Sequence, residues 1–245
     1  MNLYGLVGYP LGHSFSKKYF TDKFEEEKLI YNQYELFPIN AIEKVRELIN
    51  STPGLKGLNV TIPYKQSVLK YLDDITNIPG SLKACNCIKI VNGHTYGYNT
   101  DIIGFEKSIL PKLKTFQKSA LILGNGGAAE AVKYVFEKNR INFEVVSRIL
   151  HAGSTMTYAD ITDDIIAKNL IIVNTTPLGM HPGINSYPQI PYHSVGSNHF
   201  FYDLVYNPET TVFLKKAKEQ GAYAQNGYEM LVSQAEESWK IWNDD

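Results

Sequence analysis

Three short segments in the first hundred residues contain side chains that could bind and transform a small polar molecule. They are Ser14-Phe15-Ser16, the run from Asn59 through Thr61 to Lys65, and Asn99-Thr100-Asp101. Hydroxyls, amides and an ammonium group suit a polyhydroxylated ligand, which needs many directional hydrogen bonds. Lys65 can also donate or accept a proton. Asp101, at the start of a predicted helix, would be stabilised as an anion by the helix dipole.

Each of these segments also has a purely structural interpretation. Ser14 and Ser16 could cap the helix that follows them, and Asn59 and Thr61 could satisfy backbone groups of a turn. Lys65 could be a surface residue, as most lysines are. No single segment therefore establishes a site.

A glycine-rich turn follows the apolar run at 119–123 and precedes an amphipathic helix. Its residues are Gly124, Asn125, Gly126, Gly127 and Ala128. A strand, such a turn and a helix together present backbone N–H groups and a positive helix end to a pyrophosphate. The spacing is G-x-G-G-A-A rather than the full G-x-G-x-x-G, and its place in a β/α pattern indicates a dinucleotide site. The alternative is a tight strand–helix turn with no ligand.

The end of the next predicted strand, 143–147, bears on the choice of cofactor. An NAD site usually places an acidic residue there, against the ribose 2′-hydroxyl. This chain has Ser147 and Arg148 instead. A guanidinium suits a 2′-phosphate, so the sequence favours NADP. A solvated loop charge is the alternative for Arg148.

The elements that would position these groups alternate between strand and helix, which indicates an α/β fold. In the first half, strands are predicted at 3–8, 34–39 and 55–63, helices at 17–29, 41–50 and 65–72, and a hairpin at 87–99 that turns at Asn92-Gly93. From Asp101 a helix runs to about 110. Strands follow at 119–124, 143–147, 170–176, 200–206 and 222–226, with helices at 211–220 and 227–242.

Composition places the chain among ordinary globular proteins and disfavours several partners. It has 245 residues, 44% hydrophobic and 20% charged, with a net charge of −1, so no global positive field attracts nucleic acid or anionic membrane. We expect no secretory signal and no membrane span. Cys85 and Cys87 have no further Cys or His partners at a suitable spacing, so we expect two free thiols in a reducing cytoplasm, not a disulfide or a metal site.

Taken together and in order, these segments resemble the shikimate dehydrogenase family over nearly the whole chain. The matching blocks are H-S-x-S (His13, Ser14, Ser16), N-V-T-x-P-x-K (Asn59 to Lys65), A-x-N (Ala84, Asn86), Y-N-T-D-x-x-G (Tyr98 to Gly104), G-x-G-G-A-A (Gly124 to Ala129), N-T-T-P-L-G-M (Asn174 to Met180), D-x-x-Y-x-P-x-x-T (Asp203 to Thr211) and N-G-x-x-M-L-x-x-Q-A (Asn226 to Ala235).

The resemblance implies an N-terminal α/β substrate-binding domain plus a Rossmann-like NADP-binding domain, with the active site in the cleft between them. Residues 1–100 with 226–245 would form the first domain, and 101–225 the second. The implied activity is the reversible NADPH-dependent reduction of 3-dehydroshikimate to shikimate, in chorismate and aromatic amino acid biosynthesis. The enzyme would be cytoplasmic, a monomer or homodimer, without a metal and without nucleic acid or membrane partners.

The resemblance also implies roles for individual residues. Lys65 would be the catalytic acid/base, with Asp101 beside it, because a proton donor lowers the barrier as charge develops on the carbonyl oxygen. The substrate would be held by Ser14, Ser16, Asn59, Thr61, Asn86, Tyr206 and Gln234. The cofactor would contact Gly124, Asn125, Gly126, Gly127, Ala128, Ser147 and Arg148, with Thr175, Val205, Gly227 and Met230 near the nicotinamide.

The match is weakest after the second nucleotide-binding strand. The family pattern there is N-R-T-x-x-R/K-A, whereas this chain continues from Arg148 with Ile149-Leu150-His151-Ala152-Gly153. Only 25 residues separate Arg148 from Asn174, so the helix expected in this interval is shortened or missing.

Two alternative functions remain. A quinate/shikimate dehydrogenase using NAD or NADP is disfavoured by the presence of both Ser14 and Ser16, since the extra hydroxyl of quinate would need room there. A non-catalytic NADP-binding regulatory protein is disfavoured by Lys65 and Asp101, because binding alone requires no proton donor.

Overall fold

The computed structural model describes residues 1–12, 14–150 and 152–244; His13 and His151, named above, lie outside the described residues. The chain divides into two compact units, the first formed by Met1–Thr100 with Gln234–Asp245 and the second by Asp101–Ser233. In the part of the chain that is described, no helix is both long and apolar enough to cross a membrane.

The first unit is a five-stranded mixed sheet covered by helices. Its strands are β1 (Asn2–Gly8), β2 (Asn32–Pro38), β3 (Leu55–Val60), β4 (Cys87–Val91) and β5 (His94–Tyr98), in the order β2-β1-β3-β4-β5. β1 runs parallel to β2 and β3, while β4 is antiparallel to β3 and β5. The helices are α1 (Phe15–Glu26) and α2 (Val45–Ser51). The hairpin turns at Asn92-Gly93 as predicted, with positive φ at both residues, which this pair tolerates.

The second unit is an all-parallel six-stranded sheet with the strand order of a Rossmann fold. Its strands are β6 (Ser119–Leu123), β7 (Asn142–Ser147), β8 (Met156–Thr157), β9 (Ile171–Asn174), β10 (Phe200–Asp203) and β11 (Tyr223–Gln225), in the order β11-β10-β9-β6-β7-β8. The helices are α3 (Asp101–Ile109), α4 (Gly127–Lys138), α5 (Asp163–Lys168) and α6 (Val212–Glu219). The α/β class is therefore confirmed, with β6 and β9 meeting at the topological switch point.

The last helix, α7 (Tyr228–Asn243), begins in the second unit and ends in the first. Glu229 in its first turn bonds to Lys112 and Gln225, both in the second unit. This explains why the division falls at residue 234, eight residues after the predicted one at 226. Further along the helix, the ring of Trp242 stacks on Tyr4 with centroids 5.0 Å apart.

Close packing of α7 on the first sheet depends on a glycine. A Cβ added to Gly57 in β3 would lie 2.3 Å from Nε1 of Trp242, so only glycine allows the indole this near the strand. The same indole nitrogen donates to the backbone oxygen of Ile88 at 3.0 Å. This contact fixes the C-terminal end of α7 and thereby the register of Gln234 on the same helix.

The segment at 65–72 is not the α-helix that the sequence predicts. It contains only a 3-10 helix at Ser67–Tyr71, so the prediction is wrong in type. The carbonyl oxygen of Lys65 accepts instead from the N–H of Cys85 at 2.7 Å, which holds the segment off a helical path. Cys85 and Cys87 are free thiols, as expected.

Candidate functional site

A buried polar network in the first unit links three of the predicted substrate-binding residues. The side-chain oxygen of Asn59 accepts from the hydroxyl of Tyr34 at 2.9 Å. The Asn59 amide donates to the hydroxyl of Ser238 at 2.9 Å and to the backbone oxygen of Asn86 at 3.3 Å. Ser238 in turn donates to the backbone oxygen of Gln234 at 2.9 Å. β2, β3, α7 and the residue before β4 are thus joined by polar contacts.

Thr100 closes this network on its other side. Its N–H donates to Oδ1 of Asn86 at 2.6 Å, and its hydroxyl accepts from Nδ2 of Asn86 at 3.0 Å. The hydroxyls of Thr100 and Ser238 lie 3.1 Å apart. Ser238 therefore uses its one donor and both acceptor positions within the protein.

The network defines what Asn59 has left to offer a ligand. Asn59 is only 5% exposed, and both of its amide hydrogens are used by Ser238 and Asn86. An amide oxygen accepts two hydrogen bonds, and Tyr34 supplies one of them. At most one acceptor position on Asn59 remains for substrate, so its main effect is to hold neighbouring groups in place.

Ser14 and Ser16 sit at the start of α1 and both make structural contacts. Ser14 is the N-cap, and its hydroxyl accepts from the N–H of Lys17 at 3.4 Å. Burial raises the pKa of the Tyr34 hydroxyl well above its ordinary value, an effect that a hydrogen bond with Ser16 partly offsets. Ser16 therefore contacts the same tyrosine that binds Asn59.

Thr61 and Lys65 lie in the segment that follows β3. The N–H of Thr61 donates to the backbone oxygen of Val7 at 2.9 Å, and the N–H of Tyr64 donates to the carbonyl of Thr61 at 2.9 Å. With the bond from Cys85 to the Lys65 carbonyl, the segment is tied to β1 at one end and to the residue before Asn86 at the other. Lys65 itself is half-buried.

Three residues that sequence reasoning missed complete the network: Tyr34, Thr100 and Ser238. Thr100 stood inside a recognised motif, next to Asp101. Ser238 lies four residues after Gln234, so helical spacing would place both on one face. Tyr34 gave no signal beyond its place in a strand.

In the second unit, Asp101 is the first residue of α3 and is buried.

The glycine-rich turn between β6 and α4 has the shape that a pyrophosphate site requires. Gly124 has φ of +109°, and a Cβ there would lie 2.6 Å from Oγ1 of Thr175, so the position needs glycine. A Cβ added to Gly126 would meet no atom within 4 Å, which leaves open space over the turn. α4 begins at Gly127 and presents its N-terminal N–H groups beside that space. The residues present fit a dinucleotide phosphate.

Asn125 connects this turn to the loop that follows β7. Its amide donates to the carbonyl of Ala152 at 3.5 Å, and its side-chain oxygen accepts from Nζ of Lys133 on α4. Lys133 also pairs with Glu130 at 2.9 Å. The abbreviated loop is therefore held against the glycine-rich turn, and no helix lies between β7 and β8 in the described residues, in line with the sequence.

Ser147 ends β7 and Arg148 follows it, at the position where the sequence predicts recognition of a 2′-phosphate. The hydroxyl of Ser147 donates to the carbonyl of Ile149 at 2.6 Å, so that proton serves the turn rather than a ligand. Arg148 is exposed. Burial raises the pKa of the nearby Tyr158 to about 12, and the charge of Arg148 acts in the opposite direction. Recognition of the 2′-phosphate would thus rest mainly on Arg148.

Thr175, Val205 and Gly227 are brought close together at the carboxyl ends of β9 and β10. The hydroxyl of Thr175 donates to the carbonyl of Leu123, and the N–H of Gly227 donates to the carbonyl of Val205 at 3.3 Å. A Cβ on Gly227 would lie 2.3 Å from the carbonyl oxygen of Leu204, so this approach also needs glycine.

Met230 and Tyr206 complete the predicted set in the second unit. Met230 is buried in the first turn of α7, and Tyr206 follows Val205 and is half-buried. Burial raises the pKa of the Tyr206 hydroxyl, so it is a neutral hydrogen-bonding group.

Known proteins of one family are similar to this chain over nearly its whole length. The family model of the shikimate dehydrogenase substrate binding domain matches residues 6–88. A protein named shikimate dehydrogenase (NADP(+)) from Methanococcus vannielii is 36% identical, in an alignment covering 98% of this chain and 90% of the relative.

Solved structures match over the same extent. Shikimate dehydrogenase 1 from Peptoclostridium difficile is 33% identical with a TM-score of 0.87, covering 100% of this chain and 92% of that one. A shikimate dehydrogenase crystallised in complex with NADP+ is 31% identical with a TM-score of 0.86, covering 99% and 90%.

Proposed function

Because the chain belongs to the shikimate dehydrogenase family, we propose that it catalyses the reversible NADPH-dependent reduction of 3-dehydroshikimate to shikimate. This is an oxidoreductase acting on a CH–OH group, with NADP as cofactor, and it serves the pathway to chorismate and the aromatic amino acids. The observation that carries the proposal is the buried polar network around Asn59, Asn86 and Ser238. It adjoins Lys65 in the fold, because the N–H of Cys85, the residue before Asn86, donates to the carbonyl of Lys65 at 2.7 Å.

We assign substrate binding to residues 1–100 with 226–245 and NADP binding to 101–225. Within the substrate domain, the ligand hydroxyls and carboxylate would be bound by Ser14, Ser16, Thr61, Asn86 and Gln234. Asn59 would contribute at most one acceptor and otherwise fix Asn86 in position. Tyr206 would add a neutral hydroxyl.

Lys65 would act as the proton donor to the carbonyl oxygen of 3-dehydroshikimate. As the ketone is reduced, negative charge develops on that oxygen, and an ammonium group both stabilises the charge and transfers a proton. Asp101 would balance the positive charge of Lys65. In the oxidation of shikimate, neutral Lys65 would accept the hydroxyl proton. NADPH, when bound, supplies the hydride.

The cofactor would be held by the second unit. Gly124, Asn125, Gly126, Gly127 and Ala128 would surround the pyrophosphate, with the N-terminus of α4 directed at it. Arg148 would pair with the 2′-phosphate, next to Ser147. Thr175, Val205, Gly227 and Met230 would border the nicotinamide. The protein would be cytoplasmic and a monomer or homodimer.

The test is a matched comparison of substrates and cofactors on the purified protein. We expect shikimate-dependent reduction of NADP+ to exceed the rate with NAD+ and the rate with quinate in place of shikimate. Quinate turnover equal to shikimate turnover would favour a quinate/shikimate dehydrogenase. Tight NADPH binding without turnover of shikimate, 3-dehydroshikimate or quinate would indicate a non-catalytic regulatory protein and overturn the proposal.

A further inference from the structure

Asp203, the last residue of β10, is a fully buried carboxylate that accepts hydrogen bonds from three separate segments. Its Oδ1 accepts from Nδ2 of Asn174 at 2.9 Å and from the N–H of Val205 at 3.0 Å. Its Oδ2 accepts from the hydroxyl of Thr211 at 2.5 Å. One side chain therefore fixes the ends of two neighbouring strands and the start of α6.

Two of these donors, Asn174 and Val205, belong to segments that the proposed function places at the nicotinamide. Asn174 is followed by Thr175, and its side-chain oxygen accepts from the N–H and hydroxyl of Thr176 at 3.1 and 2.6 Å. On the other side, the carbonyl of Val205 accepts from the N–H of Gly227.

The geometry points to Asp203 as a positioning residue for the cofactor, holding the loops after β9 and β10 in the shape that receives the nicotinamide. This inference rests on the proposed function, since it presumes that these loops border NADPH. Asp203 acts through Asn174 and Val205 and has no assigned contact with substrate or cofactor.

The surroundings of Asp203 make its ionised form costly to maintain. Burial raises its pKa to about 6, although the bonds from Thr211, Val205 and Asn174 act in the opposite direction. The other titratable groups that face it are the hydroxyls of Tyr192 and Tyr202, whose pKa values burial raises well above the ordinary value, so both are neutral. A raised folded-state pKa means that ionised Asp203 makes the fold less stable as pH rises through about 6.

Because the charge opposes stability, a purely structural role would be served as well by a neutral side chain. The Asp203→Asn variant separates the two roles. Its amide has nearly the same shape as the carboxyl group but carries no charge, and it offers one acceptor oxygen and two N–H donors where the carboxylate offers two acceptor oxygens.

The experiment measures the NADPH dissociation constant of the wild type and Asp203→Asn by NADPH fluorescence between pH 5 and pH 8, with thermal unfolding alongside. At pH 8 we expect the variant to bind NADPH about five- to tenfold more weakly, the effect of one hydrogen bond, while unfolding no earlier than the wild type. The ratio of the two constants should approach one as pH falls through about 6, where Asp203 takes up a proton. The ratio also cancels the titration of the cofactor's own 2′-phosphate.

A ratio that stays at one, or that does not change with pH, would overturn the inference, as would lower stability with unchanged binding. The Thr211→Val variant provides a second measurement that keeps the carboxylate. It removes a donor that lowers the pKa of Asp203. As pH falls, the variant should therefore begin to lose affinity for NADPH at a higher pH than the wild type. An unchanged pH profile of NADPH binding would exclude Asp203 as the titrating group. A wild type that does not bind NADPH would contradict the proposed function instead.

Discussion

Replacing Ser238 by alanine removes the hydroxyl that joins Asn59, Thr100 and Gln234 in the first unit. One amide hydrogen of Asn59 is then left buried without a partner, which costs about 1 to 3 kcal/mol. Thr100 loses its hydrogen bond with Ser238 but keeps its bonds to Asn86, so the free-energy cost at Thr100 is smaller. Alanine's better helix propensity returns about 0.5 kcal/mol. We therefore expect the free energy of unfolding to fall by about 1 to 2 kcal/mol.

The same substitution should weaken substrate binding selectively. Asn59 and Thr100 both hold Asn86, so loosening them should raise the KM for shikimate about three- to tenfold, the equivalent of one hydrogen bond. The dissociation constant for NADPH should not change, because the proposed cofactor contacts lie in the second unit. Denaturant unfolding, steady-state kinetics and NADPH fluorescence measure the three quantities.

Ser51→Ala is the matched control, because Ser51 is an exposed serine at the end of α2 in the same unit. It should leave stability and both binding constants near their wild-type values. The predicted role of the Ser238 hydroxyl would be contradicted if Ser238→Ala had the same stability and the same KM for shikimate as this control. It would also be contradicted if the variant weakened NADPH binding as much as shikimate binding.

Two further predictions concern charged side chains. Arg148→Ala should weaken NADPH binding about tenfold and leave NADH binding unchanged, because Arg148 is the cation assigned to the 2′-phosphate; equal losses for both cofactors would contradict this assignment. Asp73→Asn should lower the free energy of unfolding at neutral pH by about 1 kcal/mol, a value reduced for the partial exposure of the Asp73–Arg46 pair. Arg46 donates to both carboxylate oxygens of Asp73. These bonds and those from Thr95 hold the pKa of Asp73 far below its ordinary value. The ionised carboxylate therefore stabilises the fold above about pH 4, and this contribution is lost as pH falls further. Unfolding curves of both proteins from pH 7 to pH 2 check this. If the two free energies of unfolding still differ at pH 2, the carboxylate charge is not the cause of the difference.

Much of the second unit could be predicted from sequence because its signals are local. The apolar strands β6, β7, β9 and β10 and the glycine-rich turn are all visible within short windows. So is the shortening of the segment after Arg148, where the only α-helix before Asn174 among the described residues is the six-residue α5. The hairpin between β4 and β5 was equally accessible, since Asn92-Gly93 tolerates the positive φ that its turn requires.

The polar network of the first unit could not be predicted in the same way. Ser238 forms hydrogen bonds with Asn59, which is 179 positions away in the sequence, and with Thr100, which is 138 positions away. Such contacts depend on the return of α7 to the first sheet, which the bulk of Trp242 and the absence of a side chain at Gly57 make possible. The α-helix predicted at 65–72 was wrong for a related reason. The carbonyl of Lys65 accepts from the N–H of Cys85, a residue far along the chain, and not from a residue of the same segment.

Asp203 shows what a family motif leaves unexplained. The D-x-x-Y-x-P-x-x-T block placed it in the chain, yet only the structure shows that its carboxylate joins Asn174, Val205 and Thr211. Sequence reasoning assigned the neighbouring Val205 and Tyr206 to ligands and gave Asp203 no role.

The catalytic role of Lys65 is measured by the rate of NADPH oxidation on addition of 3-dehydroshikimate, for the wild type and Lys65→Ala side by side. We expect turnover by the wild type, and a kcat about 10²- to 10⁴-fold lower in the variant with a much smaller change in KM, because Lys65 is the proton donor acting in the transition state. No oxidation by the wild type, or a variant that turns over at the wild-type rate, would contradict it.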